Sequence, residues 1–394
     1  MNIVEKRLDE IRPYANNPRK NDEAVEAVAN SIREFGWKQP IVVDADGVII
    51  VGHTRYKAAQ MLGFETAPVL VADDLSDDKV KAYRLADNKT NELAEWDFQL
   101  LSEELEGLDM DMEQFGFEFP EVFDEANIVE EEAPEPPEEP KAKLGDIYQL
   151  GRHRLMCGDS TVLTDVEKLM AGRQADMVFT DPPWNVNYGA DDNNGSYKPR
   201  QIINDYMDTA DFKDFMNGAF LCMNDASKEG AMVYVVMSPQ EWGNLMLTLS
   251  DNGFHWSSTI IWNKDRLVLS RKDYHTKYEP IWYGWKEGEA RLCPLLDRKQ
   301  SDVWDFERPS RSDEHPTMKP VALVAKAITN SSHKGNLVLD LFGGSGTTLI
   351  ACEETDRDCC MMELDPKYVD VIVTRWENMT GKKAVLLDDS GSNA

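Results

Sequence analysis

Four residues that follow an apolar stretch have types suited to chemistry on an amine. Asp181-Pro182-Pro183-Trp184 comes directly after ADMVFT, residues 175–180, which reads as a buried strand. Two prolines cannot extend a strand ladder, so the chain turns at the carboxyl end of the strand, where open α/β sheets bind ligands. There the Asp181 carboxylate and the Pro182 carbonyl could accept the hydrogens of a planar amine, whose lone pair would then attack an electrophile. Trp184 would stack on the ring that carries the amine; the alternative is a stiff turn with a core tryptophan.

A glycine-rich turn supplies a second candidate site. Leu339 to Thr348, LDLFGGSGTT, leaves a predicted strand and enters a predicted helix, and its glycines let the backbone approach a ligand closely. Glu363 follows the next predicted strand about 20 residues later, the spacing at which an acidic side chain binds ribose hydroxyls. Because the sequence has no GxxxxGK[ST], a phosphate-cradling loop is not supported. The combined spacing points to a cofactor of the adenosine type.

Composition bounds the other possibilities. The 394 residues suffice for two domains, and a hydrophobic content of 42% is ordinary for a soluble globular protein. No apolar run reaches the roughly 20 residues of a membrane span, and the N-terminus lacks a secretory core, so we expect a cytoplasmic protein with no membrane partner. The six cysteines lack metal-ligand spacing, so we predict buried, reduced thiols and no metal site.

The net charge of −30 opposes nucleic-acid binding unless the charge is unevenly distributed. Residues 121–140, EVFDEANIVEEEAPEPPEEP, hold nine acidic residues, no basic ones and four prolines. Such a stretch can bury little apolar surface and proline stiffens it, so we predict an acidic linker at 121–143. The linker would separate an N-terminal domain at 1–120 from a C-terminal domain at 144–388.

Hydrophobic periodicity predicts the elements that position these motifs. In the C-terminal domain strands alternate with helices, which favours an α/β fold with a mostly parallel sheet covered on both faces. The N-terminal domain reads as mixed α/β, with a helix that ends at Gly36 and a hairpin that turns at Asp46-Gly47. The C-terminal strands are predicted at 175–180, 231–237, 258–262, 280–283, 337–341 and 359–362, and two of the helices at 211–221 and 321–328.

The order of these motifs is that of a known family. Residues 144–382 resemble the amino-methyltransferases of restriction–modification systems and phages, in the class whose catalytic motif precedes the cofactor motif. Beyond the two motifs above, the match includes Gly158-Asp159-Ser160, HPTMKP at 315–320 and MELDPKY at 362–368. The resemblance implies a Rossmann-like domain that uses S-adenosyl-L-methionine to methylate DNA, with Asp181 to Trp184 as the catalytic residues.

The resemblance also implies a set of cofactor contacts. Phe342 to Gly346 would bind the methionine part of the cofactor and Glu363 its ribose. Thr317 and Lys319 would help to close the site, and Asp159 would lie near the adenine of the cofactor or near the target. The full candidate set is Asp340, Phe342, Gly343, Gly344, Ser345, Gly346, Thr347, Glu363, Asp159, Thr317 and Lys319.

The target base is left open between two amines. An aspartate at the head of the motif resembles the adenine enzymes, whereas cytosine-N4 enzymes more often begin the motif with serine. We therefore predict an adenine-specific enzyme, with N4-cytosine methylation as the alternative. A further alternative of a different class is a non-catalytic DNA-binding regulator.

Residues of about 190–315 lie between the two motifs and are predicted to recognise double-stranded DNA. From Trp262 to Tyr278 five basic and two acidic residues are interleaved with aromatics, a pattern suited to phosphate contacts and base readout. The alternative is a solvated loop between two core strands. The candidate DNA-binding residues are Lys264, Arg266, Arg271, Lys272 and Lys277.

Residues of about 5–98 resemble the N-terminal domain of ParB partition proteins. The resemblance is carried by RPYANNPR at 12–19, GWKQPIVV at 36–43 and GHTRYKAA at 52–59. It implies that Arg55 contacts a nucleotide at a helix N-terminus, although a single arginine stands here where partition proteins often carry two. A structural cap at this turn is the alternative, and a homodimer is among the assemblies that the sequence leaves open.

Overall fold

A computed structural model describes residues 3–19, 21–22, 24–91, 101, 104–105, 108, 110–117, 123–130, 133–186, 206–268, 273–295, 300–308 and 318–387. The chain divides into two compact units, Met1–Pro120 and Glu121–Ala394. Each unit has its own sheet and its own core.

The first unit is a four-stranded sheet in the order β1-β4-β2-β3 with helices packed on it. The hairpin predicted around Asp46-Gly47 is confirmed, because β2 and β3 pair antiparallel. Gly36, at φ 69°, ends the first helix as predicted, and its N–H donates to the carbonyl of Ile32. The elements are β1 (Ile3–Arg7), α1 (Val25–Phe35), β2 (Ile41–Val43), β3 (Ile49–Val51), α2 (His53–Met61), β4 (Thr66–Val71) and α3 (Asp77–Asn91).

The second unit is a ten-stranded sheet in the order β11-β9-β10-β8-β7-β12-β13-β6-β5-β14. Its five central strands, β8 to β6 in that order, are parallel, so the predicted α/β fold is confirmed. The elements are β5 (Ile147–Leu150), β6 (His153–Cys157), α4 (Leu163–Met170), β7 (Ala175–Thr180), α5 (Thr209–Ala226), β8 (Ser227–Val236), α6 (Trp242–Asp251), β9 (Phe254–Val268), β10 (Thr276–Lys286), β11 (Val303–Asp305), α7 (Val321–Ser331), β12 (Leu337–Asp340), α8 (Thr347–Glu354), β13 (Asp358–Glu363), α9 (Pro366–Thr380) and β14 (Val385–Leu386).

Two cores lie on opposite faces of this sheet. Along β7 the side chains alternate: Met177 and Phe179 join one core with helices α7, α8 and α9, and Val178 joins the other with α4, α5 and α6. A central parallel strand that is buried on both faces reads as a continuous apolar run, which is why ADMVFT predicted it. This strand, mostly apolar and packed on both faces, therefore holds the residue that follows it, Asp181, in a fixed place.

The acidic segment at 121–143 differs from the predicted unpacked linker. In its described parts, Phe123 lies 6.3 Å from Phe306, centroid to centroid, and Ile128 packs against the core. The Glu130 carboxylate accepts a 2.9 Å hydrogen bond from the N–H of Ala322 at the start of α7, where a helix favours negative charge. Apolar side chains placed among the acids, and one acid that caps a helix, anchor a segment that its composition predicts to be unfolded.

Candidate active site at the carboxyl edge of the large sheet

The acidic residues of both motifs lie at the carboxyl ends of neighbouring parallel strands. Asp181 follows β7, Asp340 ends β12 and Glu363 ends β13, and these strands are adjacent in the sheet. Asp159 comes shortly after β6, whose last residue pairs with Glu363. The order of strands reverses between β7 and β12, and such a switch point is where open α/β sheets bind ligands.

The catalytic motif holds Asp181 between two donors. The indole N–H of Trp184 donates to Asp181 Oδ1 at 3.0 Å, and the ammonium of Lys319 donates to Oδ2 at 2.5 Å. The Asp181 side chain is 26% exposed, so a ligand can reach it, whereas Pro182 is buried beneath the turn. Burial raises the pKa of Asp181 against the opposing pull of Lys319, whose charge favours the carboxylate.

Lys319 lies at the catalytic motif, although the sequence placed it among the cofactor contacts. Its side chain is 6% exposed, and its Nζ lies 5.0 Å from the centre of the Trp184 ring and 3.4 Å from Glu279 Oε2. Burial alone would lower the pKa of Lys319, but Asp181 and Glu279 outweigh burial and raise it. The ammonium therefore stays charged beside the motif.

Glu279 is the site residue that sequence reasoning missed. It lies on β10 opposite Trp262 of β9, is buried, and accepts a hydrogen bond through Oε1 from Lys264. Lys264 is predicted to contact DNA, yet its side chain is 7% exposed and its ammonium lies 4.9 Å from the centre of the Trp262 ring. The buried face of β9 holds every second residue, Ile260, Trp262 and Lys264. That period of two is the sequence signal that predicts a buried Lys264.

Two glycines of the glycine-rich turn lie too close to neighbouring side chains for any larger residue to fit. A Cβ at Gly343 would lie 2.8 Å from the Met361 side chain, and one at Gly346, at φ 85°, would lie 2.9 Å from Ile372. Gly344 has φ 51°, but a Cβ there would meet no atom of the described part of the chain within 4 Å. The turn is thus packed against the sheet at two positions and open at the third, where a ligand can approach the backbone.

Glu363 joins that turn to the neighbouring strands. Its Oε2 accepts the N–H of Gly344 at 2.7 Å, its Oε1 accepts that of Asp365 at 2.8 Å, and its main-chain oxygen accepts that of Gly158 at 3.1 Å. Burial raises the pKa of Glu363 to about 7, against these two side-chain hydrogen bonds. Each carboxylate oxygen has a second lone pair with which it can accept a ligand hydroxyl.

Other residues predicted to contact the cofactor make hydrogen bonds within the protein that stabilise the site. Asp340 is 3% exposed, accepts from Thr180 and from the N–H of Phe342, and has a pKa that burial raises to about 6. The hydroxyl of Thr347 lies 3.5 Å from the main-chain oxygen of Lys319, and the main-chain oxygen of Ser345 accepts from Arg375.

Asp159 lies at the end of the site beside β6. Its Oδ1 accepts the N–H and the hydroxyl of Thr161 at 2.9 and 2.8 Å, so it stabilises the turn after the strand. The remaining candidate for the cofactor site, Thr317, lies outside the described residues.

The exposed basic residues of the predicted DNA-binding stretch lie on the hairpin of β9 and β10. The Arg266 side chain is 81% exposed and pairs with Asp265, and Lys277 is exposed on the opposite strand. Tyr274, 91% exposed, lies just before β10. Arg271 and Lys272 lie outside the described residues.

The first unit has a cavity of about 270 Å³ beside the N-terminus of α2. Tyr14, His53, Lys81 and Arg84 are among its lining residues, and the guanidinium carbon of Arg84 lies 4.2 Å from the centre of the Tyr14 ring. Arg55, the predicted nucleotide contact, instead donates to the Gln39 side chain and to the carbonyl of Pro40.

In the described part of the chain, no group of three or more His, Cys, Asp or Glu side chains is arranged to hold a metal ion. Over the same residues, no helix has both the length and the apolar character that crossing a membrane requires.

Comparison with known proteins finds relatives for both units. The family model described as DNA methylase matches residues 175–374, and the model of the ParB N-terminal domain matches residues 1–89. The type II methyltransferase M.Cfr9I of Citrobacter freundii is 31% identical over 142 residues, which are 33% of this chain and 47% of that protein. This chain thus spans about half the length of that relative.

Each unit also resembles other known proteins. The ParB-like nuclease domain-containing protein YnaK of Escherichia coli is 41% identical over 80 residues, 20% of this chain and 92% of YnaK. The crystal structure of an M1.HpyAVI–SAM complex is matched over 56% of this chain and 97% of that one, with 19% identity and a TM-score of 0.44.

The methylase match spans half of the chain and includes both the catalytic motif and the glycine-rich turn described above. The chain therefore belongs to the DNA methylase family of the N6/N4 type, which uses S-adenosylmethionine, and it carries a ParB N-terminal domain.

Proposed function

We propose that the chain transfers a methyl group from S-adenosylmethionine to the N6 amine of adenine in double-stranded DNA. One observation carries the proposal: Asp181 directly follows β7, which lies beside β12, the strand that leads into the open glycine turn. A carboxylate that can accept an amine hydrogen and a turn that can bind the methyl donor are therefore neighbours. The aspartate at the head of the motif favours adenine over cytosine.

The described residues fit the cofactor. The open side of Gly344 leaves room along the turn, and Glu363 keeps acceptor capacity for ribose hydroxyls. Phe342 to Gly346 would line the methionine part, and Asp159 stands at the end nearest β6. When bound, the cofactor supplies a methyl group that its sulfonium charge activates. The roles of Asp340 and Thr347 would be to hold this turn in place from within the protein.

The target amine would be held by Asp181 and by the carbonyl of Pro182. Two acceptors for its two hydrogens draw the nitrogen away from the plane of the base, so its lone pair becomes available for attack. Adenine in a duplex is reached only when it is swung out of the stack, and Trp184 offers the ring against which it would lie. Arg266 and Lys277 would contact the phosphates on either side.

Methyl transfer from labelled S-adenosylmethionine to unmethylated duplex DNA, followed by nucleoside analysis, tests the proposal. We expect label in N6-methyladenine. Label in N4-methylcytosine would show that the target is the N4 amine of cytosine instead. Cofactor binding without label in either base would favour another substrate class such as RNA, and the absence of cofactor binding would favour a non-catalytic regulator.

A second candidate function belongs to the first unit. The cavity beside α2 is lined by two cationic side chains, Lys81 and Arg84, together with His53, and a helix N-terminus favours a phosphate. We infer that it binds a nucleotide. Equilibrium dialysis with each labelled nucleoside triphosphate tests this inference: binding that Lys81→Ala weakens supports it, whereas no binding of any of the four contradicts it.

A further inference from the structure

Both oxygens of the catalytic carboxylate accept a hydrogen bond before any substrate arrives. Asp181 accepts from Trp184 through Oδ1 and from Lys319 through Oδ2, the second contact at 2.5 Å. A hydrogen bond between two charged groups is stronger than one between a charged group and a neutral amine. Each oxygen keeps a second lone pair, but the incoming amine must share Asp181 with the charge of Lys319, which weakens the carboxylate as an acceptor.

Glu279 is a second acceptor within reach of the same ammonium. Its Oε2 is buried, lies 3.4 Å from Lys319 Nζ, and makes no hydrogen bond with the residues that the structure describes, while its Oε1 accepts from Lys264. Buried carboxylate oxygens are nearly always hydrogen-bonded, so this oxygen has acceptor capacity for a closer approach by Lys319. A movement of roughly 0.6 Å by the ammonium would bring Lys319 to the 2.8 Å that charged pairs prefer.

The charges balance in both positions. Lys264 and Lys319 face Glu279 and Asp181, so two positive and two negative groups share one largely buried site. Moving Lys319 from one carboxylate to the other changes no net charge, and Asp181, whose side chain is 26% exposed, keeps its hydrogen bond from Trp184. The move does leave Asp181 less neutralised, and hence a stronger acceptor for the amine.

We propose that Glu279 is a positioning residue that draws the Lys319 ammonium away from Asp181 when the target amine enters the site. The inference rests on the proposed function of Asp181. It gives Lys264 the role of fixing Glu279 from the opposite side. Lys264 and Glu279 lie on the β9–β10 hairpin, each two residues from an exposed basic residue, Arg266 or Lys277. DNA that binds those basic residues therefore also bears on this pair.

Glu279→Gln is the direct test, because the amide keeps the shape and removes the charge. We expect kcat to fall at least tenfold while the Kd for S-adenosylmethionine stays within twofold. The negative charge of Glu279 raises the pKa of Asp181, so its loss should move the acidic limb of the kcat profile to lower pH. Glu279→Asp should restore the position of that limb and part of kcat. Glu287→Gln, on an exposed residue just beyond β10, is the matched control and should behave as wild type.

A double-mutant cycle shows whether Glu279 acts through Lys319. In a Lys319→Met background, Glu279→Gln should cost no further activity, because no ammonium remains to be moved. Additive losses, or an acidic limb that stays in place in Glu279→Gln, would overturn the inference. Should Glu279→Gln fail to fold, a kcat of wild-type size in Glu279→Asp would overturn it as well. An inactive wild-type chain contradicts the proposed function and this inference with it, whereas an active wild type with an indifferent Glu279→Gln contradicts the inference alone.

Discussion

The hydroxyl of Thr180 donates a 2.8 Å hydrogen bond to Oδ1 of Asp340. Thr180 is the residue just before the catalytic motif, and Asp340 is the last residue of the strand that enters the glycine turn. The bond therefore ties the strand that carries the amine acceptor to the strand that carries the cofactor turn. Because both side chains are buried, water cannot take the place of either hydrogen-bonding partner.

Thr180→Val should destabilise the chain by about 1–3 kcal/mol, since it leaves a buried carboxylate short of a donor at nearly unchanged volume. Urea denaturation measures the loss. Thr374→Val, the same change at an exposed position of α9, should cost far less. Equal losses in the two variants would mean that the bond to Asp340 contributes little.

Cofactor affinity should fall as the pH drops through about 7. Only the ionised Glu363 carboxylate accepts both ribose hydroxyls, and its raised pKa of about 7 means that the protonated form predominates below that pH. From pH 8 to pH 6 the ionised fraction falls about tenfold, so the Kd for S-adenosylmethionine should rise by about the same factor. Isothermal titration calorimetry checks this, and Glu363→Gln should bind weakly with no such pH dependence. A Kd that is constant from pH 6 to 8 in the wild type would exclude Glu363 from ribose binding.

Asp181→Asn should reduce kcat by about 10²–10³-fold while the chain still binds S-adenosylmethionine. The amide cannot accept as strongly as the carboxylate and offers a donor where the target amine needs an acceptor. Single-turnover transfer of labelled methyl measures the effect. Asp214→Asn, on an exposed residue of α5, makes the same chemical change away from the site and should leave kcat unaltered. Turnover that survives Asp181→Asn would remove the carboxylate from the mechanism.

Lys277→Ala should weaken DNA binding to all sequences and lower the slope of log Kd against log salt by about 1, as loss of one phosphate contact does. Arg266→Ala should have a smaller effect, because Asp265 already neutralises part of its charge. Fluorescence anisotropy between low and moderate salt gives both slopes. Lys213→Ala on α5 serves as the comparison, since that lysine is exposed outside the hairpin. An unchanged slope in Lys277→Ala would place the phosphate contacts elsewhere.

The sequence predicts the strands that carry the site better than the contacts within it. Strand β7 and the glycine turn are local features, so their apolar runs and glycines are legible in the sequence. The pairing of Lys319 with Asp181 joins residues 138 positions apart and depends on how two strand–helix connections meet. No local sequence pattern identifies Glu279 as a site residue, because its partners are set by the register of β9 on β10.

The misplacement of Lys264 has a physical cause. A lysine among aromatics suits a nucleic-acid surface and a buried charge pair equally well, and only strand alternation separates the two. The acidic segment at 121–143 is a second such case. Composition predicts the average behaviour of a chain, whereas a few anchoring side chains decide whether it packs.

Glu130 and Phe123 help to define which segment of the chain can be transferred between proteins as a stable methylase unit. The acid caps the helix that begins just after Lys319, and the ring packs on Phe306, so both belong to the stability of the methylase unit. A fragment that begins at residue 144 would lose both contacts, whereas one that begins at 121 would keep them. An exchange that joins this catalytic unit to a different N-terminal domain must therefore include the acidic segment. The boundary for such an exchange lies before that segment, not after it.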